Sequence, residues 1–127
     1  MGFESHEYTP LGRGFDSYYG YLGGGEDYFD HKSGGYIDLH DNNISVFDQN
    51  GSYSAVLFAN KSIEVIEAHP VVGMEKAPLF LYLAFQSIHS PIQAPQEWVQ
   101  PYQWIKAKNR RTMAGMASCM DAEIRRV

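Results

Sequence analysis

The sequence predicts an α/β fold from one apolar run and two helical patterns. Residues 79–85 are apolar at every position, which is typical of a strand buried on both faces of a helix-covered sheet. Apolar residues three and four positions apart predict helices over 52–69 and 109–127. Because one strand cannot form a sheet, we expect the chain of 127 residues to be part of a larger domain.

The apolar run has one competing interpretation, a short buried helix. Pro78 before the run and Pro91 soon after it favour a strand, which we place at residues 79–87. Residues 73–78 are predicted to form the loop that leads into it.

The helix predicted over residues 52–69 has recognisable ends. The hydroxyl of Ser52 can accept a free amide of the first turn, and Pro70 stops the helix because the residue before proline avoids helical angles. A second, short helix begins at Pro95, where proline is tolerated in the first turn, and Pro101 interrupts it.

The last helix presents an amphipathic face. Methionines at helical spacing are typical of a hydrophobic core rather than of a cofactor site, and we interpret this face as core. The apolar positions are Met113, Met116, Ala117, Met120, Ile124 and Val127. Cys119 lies on the same face, where a small buried apolar residue is favoured over a nucleophile.

The first 50 residues carry weaker signals. Residues 1–14 are predicted to be loop, and residues 15–22 form at most one helical turn because Gly20 interrupts them. Residues 26–50 are polar and turn-rich, with one short strand proposed at 36–39.

Acidic residues and histidines gather between residues 27 and 41. Their spacing matches neither a calcium loop nor a zinc pattern, so we predict no metal site and favour a solvated surface loop. The set is Asp27, Asp30, His31, Asp38, His40 and Asp41.

Charge and hydropathy exclude two classes of partner. The net charge is −5 and the pI about 5.4, and the basic clusters at 106–111 and 125–126 are best explained as solvated helix ends, so we expect no nucleic-acid partner. No apolar run reaches the roughly 18–20 residues of a membrane span, and we expect none. The first four residues are neither basic nor followed by an apolar segment, so we expect no signal peptide.

Three glycosylation sequons lie close together. They begin at Asn43, Asn50 and Asn60, and their clustering favours a protein of the secretory pathway, the alternative being chance in a polar, serine-rich stretch. A single cysteine, Cys119, allows no internal disulfide and by itself weakly favours a reducing compartment.

His89 is the residue most suggestive of chemistry. Ligands bind beyond the carboxyl ends of strands in open α/β sheets, which is where the predicted strand places it. An imidazole there can donate to an anionic oxygen or transfer a proton, and Pro91 and Pro95 would limit where the ring points. The alternative is a structural histidine that caps the strand end.

Three stretches of the chain together resemble the arylsulfatases, most closely the group of arylsulfatases B, I and J. The first runs from Gly12-Arg13-Gly14-Phe15 through Glu26-Asp27-Tyr28-Phe29. The others are residues 78–95, which contain the Ile88-His89-Ser90-Pro91 sequence, and residues 109–121. The resemblance covers nearly the whole chain except the loop at roughly 30–50.

This resemblance implies a fold, a reaction and a location. The fold would be part of an alkaline-phosphatase-like α/β/α sulfatase domain, of which residues 1–127 are an incomplete central segment. The parent enzyme would hydrolyse sulfate esters of aryl compounds or glycosaminoglycan sugars, with a formylglycine nucleophile and Ca²⁺. His89 would donate to the substrate sulfate, and the parent would be lysosomal or secreted.

The chain also departs from the family pattern. It has no Cys-x-Pro-Ser-Arg motif to supply the nucleophile, the metal-binding aspartates are missing, and Tyr8 replaces a family cysteine. We therefore expect no catalytic nucleophile and no bound calcium in this chain alone, which should be inactive. The alternatives are a non-catalytic sulfate- or carbohydrate-binding module, with an aromatic surface around Tyr18, Tyr19, Tyr21, Tyr28 and Phe29, and a fragment that does not fold stably.

Overall fold

The computed structural model describes residues 5–70 and 78–127, with short strands in the first part and helices in the rest. The predicted loop at 73–78 lies outside the described residues apart from Pro78. Two 3₁₀ turns, His6–Tyr8 and Leu11–Arg13, occupy the segment predicted as loop.

An antiparallel sheet of three strands lies near the start of the chain. Its strands are β1 (Tyr19–Tyr21), β4 (Leu39–Asp41) and β5 (Ile44–Ser45), in the order β1-β4-β5. Tyr19 pairs with Asp41 and Tyr21 with Leu39, while His40 pairs with Ser45 across the next ladder.

The helical turn predicted over residues 15–22 is wrong, because this segment contains β1. Extended backbone places residues i and i+2 on one face. The rings of Tyr19 and Tyr21 accordingly both lie against Phe58, with centroids 6.4 and 6.3 Å away. Packing of alternate tyrosines on one phenylalanine therefore favours a strand here.

A separate two-stranded ribbon joins β2 (Lys32–Ser33) to β3 (Tyr36–Ile37). The turn between them consists of Gly34 and Gly35, which both have positive φ, as two-residue hairpins of this kind require. The strand predicted at 36–39 is thus split between β3 and β4.

Helix α1 (Ser54–Ala68) confirms the prediction for residues 52–69, except at its cap. Ser52 does not cap it. The N-cap is Tyr53, with no side-chain bond, and the first turn is held because the amide and hydroxyl of Ser54 both donate to the carbonyl of Tyr28. The helix ends at His69, whose ψ of 118° is the extended conformation expected before Pro70.

The C-terminal helices also follow the prediction. Helix α2 (Gln96–Val99) passes into a 3₁₀ turn at Gln100–Tyr102, and α3 spans Lys108–Arg126. The face of α3 that was interpreted as core contacts α1 and α2, with Met116 and Cys119 fully buried. The core interpretation is wrong for Ile124 and Val127, which are 51% and 41% exposed at the end of the helix. One cluster of buried hydrophobic residues comprises Tyr28, Tyr53, Ala55, Met116 and Cys119.

The strand predicted at residues 79–87, buried on both faces, is wrong for this chain. Residues 78–86 belong to no strand of the part of the chain that the structure describes, and Phe80 and Tyr82 are 76% and 72% exposed. A strand needs a hydrogen-bonded neighbour, and the described strands pair only among themselves. Only the end of the run is buried, where Phe85 packs against the core and Gln86 is enclosed.

Candidate functional site

His89 lies in a turn that immediately follows the apolar run. Its amide donates to the carbonyl of Gln86 at 2.9 Å, and its side chain is exposed. The ring Nδ1 lies 2.7 Å from the carbonyl oxygen of Ser90, so Nδ1 is the protonated nitrogen and Nε2 is left for other partners. The peptide bond between Ser90 and Pro91 is cis.

Gly25 lies against the His89 ring. A Cβ atom built on Gly25 would be 3.2 Å from Nδ1 and 3.4 Å from Cε1 of His89, and 3.5 Å from the carbonyl oxygen of Ser90. The preceding Gly24 has nothing within 4 Å of the same position. The glycine-rich stretch that precedes Glu26 therefore makes two close approaches, Gly25 to the imidazole and Gly23 to the Asp38 carboxylate, whose Oδ2 would lie 2.6 Å from a Cβ built on Gly23.

Tyr28 connects the core to the His89 turn. Its ring is fully buried and stacks on Tyr53 with 5.3 Å between centroids, and its hydroxyl donates to the carbonyl of His89 at 2.8 Å. Burial raises the pKa of Tyr28 to about 12, so the hydroxyl remains a donor at physiological pH.

Gln93 joins the same turn to the segment around Tyr28. Its Oε1 accepts the amide of Tyr28 at 3.0 Å, its Nε2 donates to Oδ2 of Asp27 at 2.6 Å, and its own carbonyl accepts the Tyr53 hydroxyl at 3.0 Å. Burial opposes ionisation of Asp27, but hydrogen bonds from the amides of Asp30 and Phe29 and from Gln93 outweigh it and lower the Asp27 pKa.

Beneath this network lies a buried pair of ionisable groups, Glu26 and His31, each 1% exposed. Nδ1 of His31 lies 3.2 Å from Oε1 of Glu26. Burial raises the pKa of Glu26; burial alone would lower the pKa of His31, but its hydrogen bond to Glu26 and the Glu26 charge raise it. Two enclosed oxygens here have no hydrogen-bond partner in the described residues: Oε2 of Glu26, and Oε1 of Gln86, whose Nε2 donates to the Glu26 carbonyl.

The solvated loop favoured for residues 27–41 is therefore only partly right, because His31 is a core residue. The carboxylates of Asp27 and Asp38 also accept hydrogen bonds from the backbone. Asp27 accepts from the amides of Phe29 and Asp30. Asp38 accepts from the amides of Leu22 and Gly23. Within residues 5–70 and 78–127, no group of three or more acidic, histidine or cysteine side chains could hold a metal ion. The described residues thus do not fit a calcium site.

The three sequons occupy different environments. Asn43 lies in the turn between β4 and β5, and Asn43 and Asn50 are both exposed. Asn60 lies within α1, where its Oδ1 accepts a hydrogen bond from Arg126 at 2.7 Å. Ser62, the third residue of that sequon, is buried and its hydroxyl donates to the carbonyl of Phe58.

The aromatic residues considered for a carbohydrate-binding surface do not form one exposed face. Tyr28 is enclosed, and Tyr19 and Tyr21 pack on Phe58. Surface clefts of 670 Å³ beside Lys61 and 270 Å³ beside Lys108 do not include His89. None of the described helices is both long enough and apolar enough to cross a bilayer.

Comparison with known proteins defines the family of this chain. Residues 2–127 match the Sulfatase family, so the chain belongs to the sulfatases. It is 37% identical over 134 aligned residues to mouse (Mus musculus) arylsulfatase J, covering all of this chain and 22% of that protein. It is 29% identical over 102 residues to an arylsulfatase of Klebsiella aerogenes, covering 74% of this chain and 21% of that protein.

Solved structures give the same result for the fold. Two crystal structures of Ps i-CgsB, one in complex with k-i-k-neocarrahexaose, match with a TM-score of 0.80 and 29% identity. The match covers 97% of this chain and 30% of each relative, so the chain spans less than a third of the proteins it resembles. The resemblance to arylsulfatases and the fold class, part of an alkaline-phosphatase-like sulfatase domain, are confirmed.

Proposed function

We propose that residues 1–127 form the central segment of a catalytic domain that hydrolyses sulfate esters. The observation that carries the proposal is the family match over residues 2–127, together with full coverage of this chain by arylsulfatase J. The exposed apolar segment at residues 79–84 supports the proposal that this chain is only part of a domain. Strands elsewhere in a longer protein would pair with this segment and cover it.

In this proposal His89 contacts the substrate sulfate. Two observations support the assignment: the His89 ring is exposed, and Nδ1 is hydrogen-bonded to the Ser90 carbonyl. Nε2, on the opposite side of the ring, is therefore left for a substrate oxygen. When the imidazole is protonated, Nε2 is a charged donor, and charge-assisted hydrogen bonds to anionic oxygens are stronger than neutral ones. The residue would stabilise charge that develops on the sulfate oxygens.

The chain alone would be inactive. Its sequence lacks the Cys-x-Pro-Ser-Arg motif from which a formylglycine is made. Cys119 is no substitute, because it is fully buried and burial raises its thiol pKa to about 12. The nucleophile and the Ca²⁺ ligands would belong to other parts of a longer protein, in which the ion would polarise the sulfate group.

The substrate would be a sulfated small molecule or a sulfated sugar, such as one from a glycosaminoglycan. The complex of Ps i-CgsB with a neocarrahexaose, a carrageenan-type oligosaccharide, supports the sugar class. A lysosomal or secreted location is proposed from the similarity to arylsulfatases, and the sequons agree with passage through the secretory pathway. Of these, Asn43 and Asn50 are the better acceptors, because the serine of the Asn60 sequon is buried in α1.

The direct test is turnover of an aryl sulfate by the full-length protein that contains this chain. His89→Ala should lower kcat about a hundredfold to a thousandfold, the usual cost of losing one donor to a transition-state anion. His69→Ala, at the end of α1 and outside the candidate site, should leave kcat within twofold.

Three outcomes would contradict the proposal. Equal rates for His89→Ala and the wild type would remove His89 from the site. Turnover by the 127-residue chain would overturn its inactivity. A full-length protein that binds sulfated glycan without hydrolysing any sulfate ester would favour the alternative, a non-catalytic sulfate- or carbohydrate-binding protein.

A further inference from the structure

We propose that Gly25 and Tyr28 are positioning residues that determine where the His89 imidazole points. The inference rests on the proposed contact between His89 and sulfate. It adds that Gly25 and Tyr28, which contact His89, determine the geometry of that contact. Neither residue would touch the substrate. Tyr28 fixes the backbone of residue 89, and the missing side chain of Gly25 leaves room for the ring.

Tyr28 can fix the position of the His89 backbone, because Tyr28 is itself held by three sets of contacts. Its amide donates to Gln93, and its carbonyl accepts both the amide and the hydroxyl of Ser54 at the start of α1. Its ring is buried against Tyr53. The remaining polar atom, the hydroxyl, donates to the carbonyl of His89 at 2.8 Å, so the helix and the core are connected directly to the backbone of the sulfate-contacting residue.

Gly25 acts on the other side of the turn, at the ring itself. A Cβ built on Gly25 would lie 3.2 Å from Nδ1 of His89 and 3.5 Å from the carbonyl oxygen of Ser90. These two atoms are the donor and the acceptor of the hydrogen bond made by the ring. A methyl group would therefore press on the donor and approach the acceptor of the bond that orients the imidazole. Because reaction rates depend steeply on the placement of catalytic groups, a displacement of a few tenths of an ångström is measurable as lost rate.

The first test compares Gly25→Ala with Gly24→Ala in the full-length protein. Neither glycine has φ in the left-handed region, so alanine fits both backbones, and only Gly25 is crowded by His89. Gly25→Ala should lower kcat on an aryl sulfate about tenfold and Gly24→Ala less than twofold. The ring ¹⁵N signals of His89, recorded in ¹⁵N-histidine-labelled protein, should shift only for Gly25→Ala.

The second test compares Tyr28→Phe with Tyr53→Phe. Each variant deletes one hydroxyl that donates to a backbone carbonyl between residues 89 and 93, that of His89 for Tyr28 and that of Gln93 for Tyr53. The two rings stack on each other. A purely structural role predicts similar effects of the two variants on melting temperature, on kcat and on the His89 signals. Positioning predicts that only Tyr28→Phe changes the His89 signals and lowers kcat, with KM nearly unchanged.

The outcomes separate this inference from the proposed function. If the wild type hydrolyses sulfate esters and His89→Ala is impaired, equal behaviour within both pairs overturns the positioning roles alone. If His89→Ala is fully active, the sulfate contact fails, and the ¹⁵N signals still decide whether Gly25 and Tyr28 orient the ring. Signals that stay unchanged in Gly25→Ala and Tyr28→Phe contradict the inference whatever the activity.

Discussion

Two segments of this chain reverse what their composition predicts. Residues 79–84 are apolar, yet Phe80 and Tyr82 are mostly exposed. Residues 26–31 are rich in charged side chains, yet they contain the fully buried Tyr28 and the enclosed Glu26–His31 pair. The polar segment, not the apolar one, contributes a fully buried side chain, Tyr28, to the hydrophobic cluster.

The difference lies in the partners that each segment finds. Apolar residues require burial, but the surface that buries them must be available, and no described strand pairs with residues 79–84. Charged residues can be buried when each finds a complementary group, as Glu26 and His31 do in each other. Composition therefore indicates what a segment needs, whereas burial depends on what lies beside it.

The largest effect on stability should come from the core that surrounds Tyr28. Met116 is fully buried on α3, and Met116→Ala should lower the free energy of unfolding by about 2–5 kcal/mol, from lost apolar burial and the cavity left behind. Urea denaturation of the 127-residue chain, followed by circular dichroism, measures this change. A loss below about 0.5 kcal/mol would mean that α3 does not pack as described.

A smaller effect should appear as a dependence of stability on pH. The pKa values of Glu26 and His31 are both raised, so each of these two groups holds more proton in the folded state than in the unfolded state, and its contribution to stability falls as pH rises. The His31 contribution is complete below its ordinary value of 6.5 and is lost as pH rises through the raised value. The Glu26 contribution falls from its ordinary value of 4.5 upward. Each proton contributes at most about 1.4 kcal/mol per pH unit.

The variant His31→Gln removes the His31 part of this dependence. Chemical denaturation between pH 5 and pH 9 should give a steeper decline in stability for the wild type than for the variant. Parallel curves for the two proteins would show that His31 does not take up a proton on folding.

The smallest effect should come from the apolar segment. Phe80→Ala removes a large side chain that is 76% exposed, so the stability of the 127-residue chain should change by less than about 0.5 kcal/mol in the same urea measurement. In a complete sulfatase domain the same substitution should cost about 3–5 kcal/mol, as for a buried phenylalanine. Similar losses in both proteins would mean that the segment is equally buried in each, contrary to the comparison.

The sequence predicts the two long helices well, because their signal is local. The spacing of apolar residues and the position of Pro70 place the ends of α1 and α3 within two residues of those observed. The Gly34-Gly35 pair was a further local signal, typical of a hairpin, that would have located β2 and β3.

Features that depend on distant residues could not be predicted. Residues 79–87 have the pattern of a strand, but pairing depends on other strands. Burial of His31 depends on Glu26 and on the carbonyl of Gln49, which no periodicity reveals. The roles of Tyr28 and Gln93 at the candidate site likewise depend on distant residues. Tyr28 bonds to His89, which is 61 positions away in the chain, and Gln93 bonds to Asp27, which is 66 positions away.

Hydrogen exchange at the amides of residues 79–85 tests most directly whether this segment is a sheet strand that other parts of a sulfatase domain complete. In the 127-residue chain these amides should exchange nearly as fast as in an unstructured peptide, while those within α1 and α3 are protected. In the full-length protein the same amides should be among the most protected. Protection in the short chain, or rapid exchange in the full-length protein, would contradict the account.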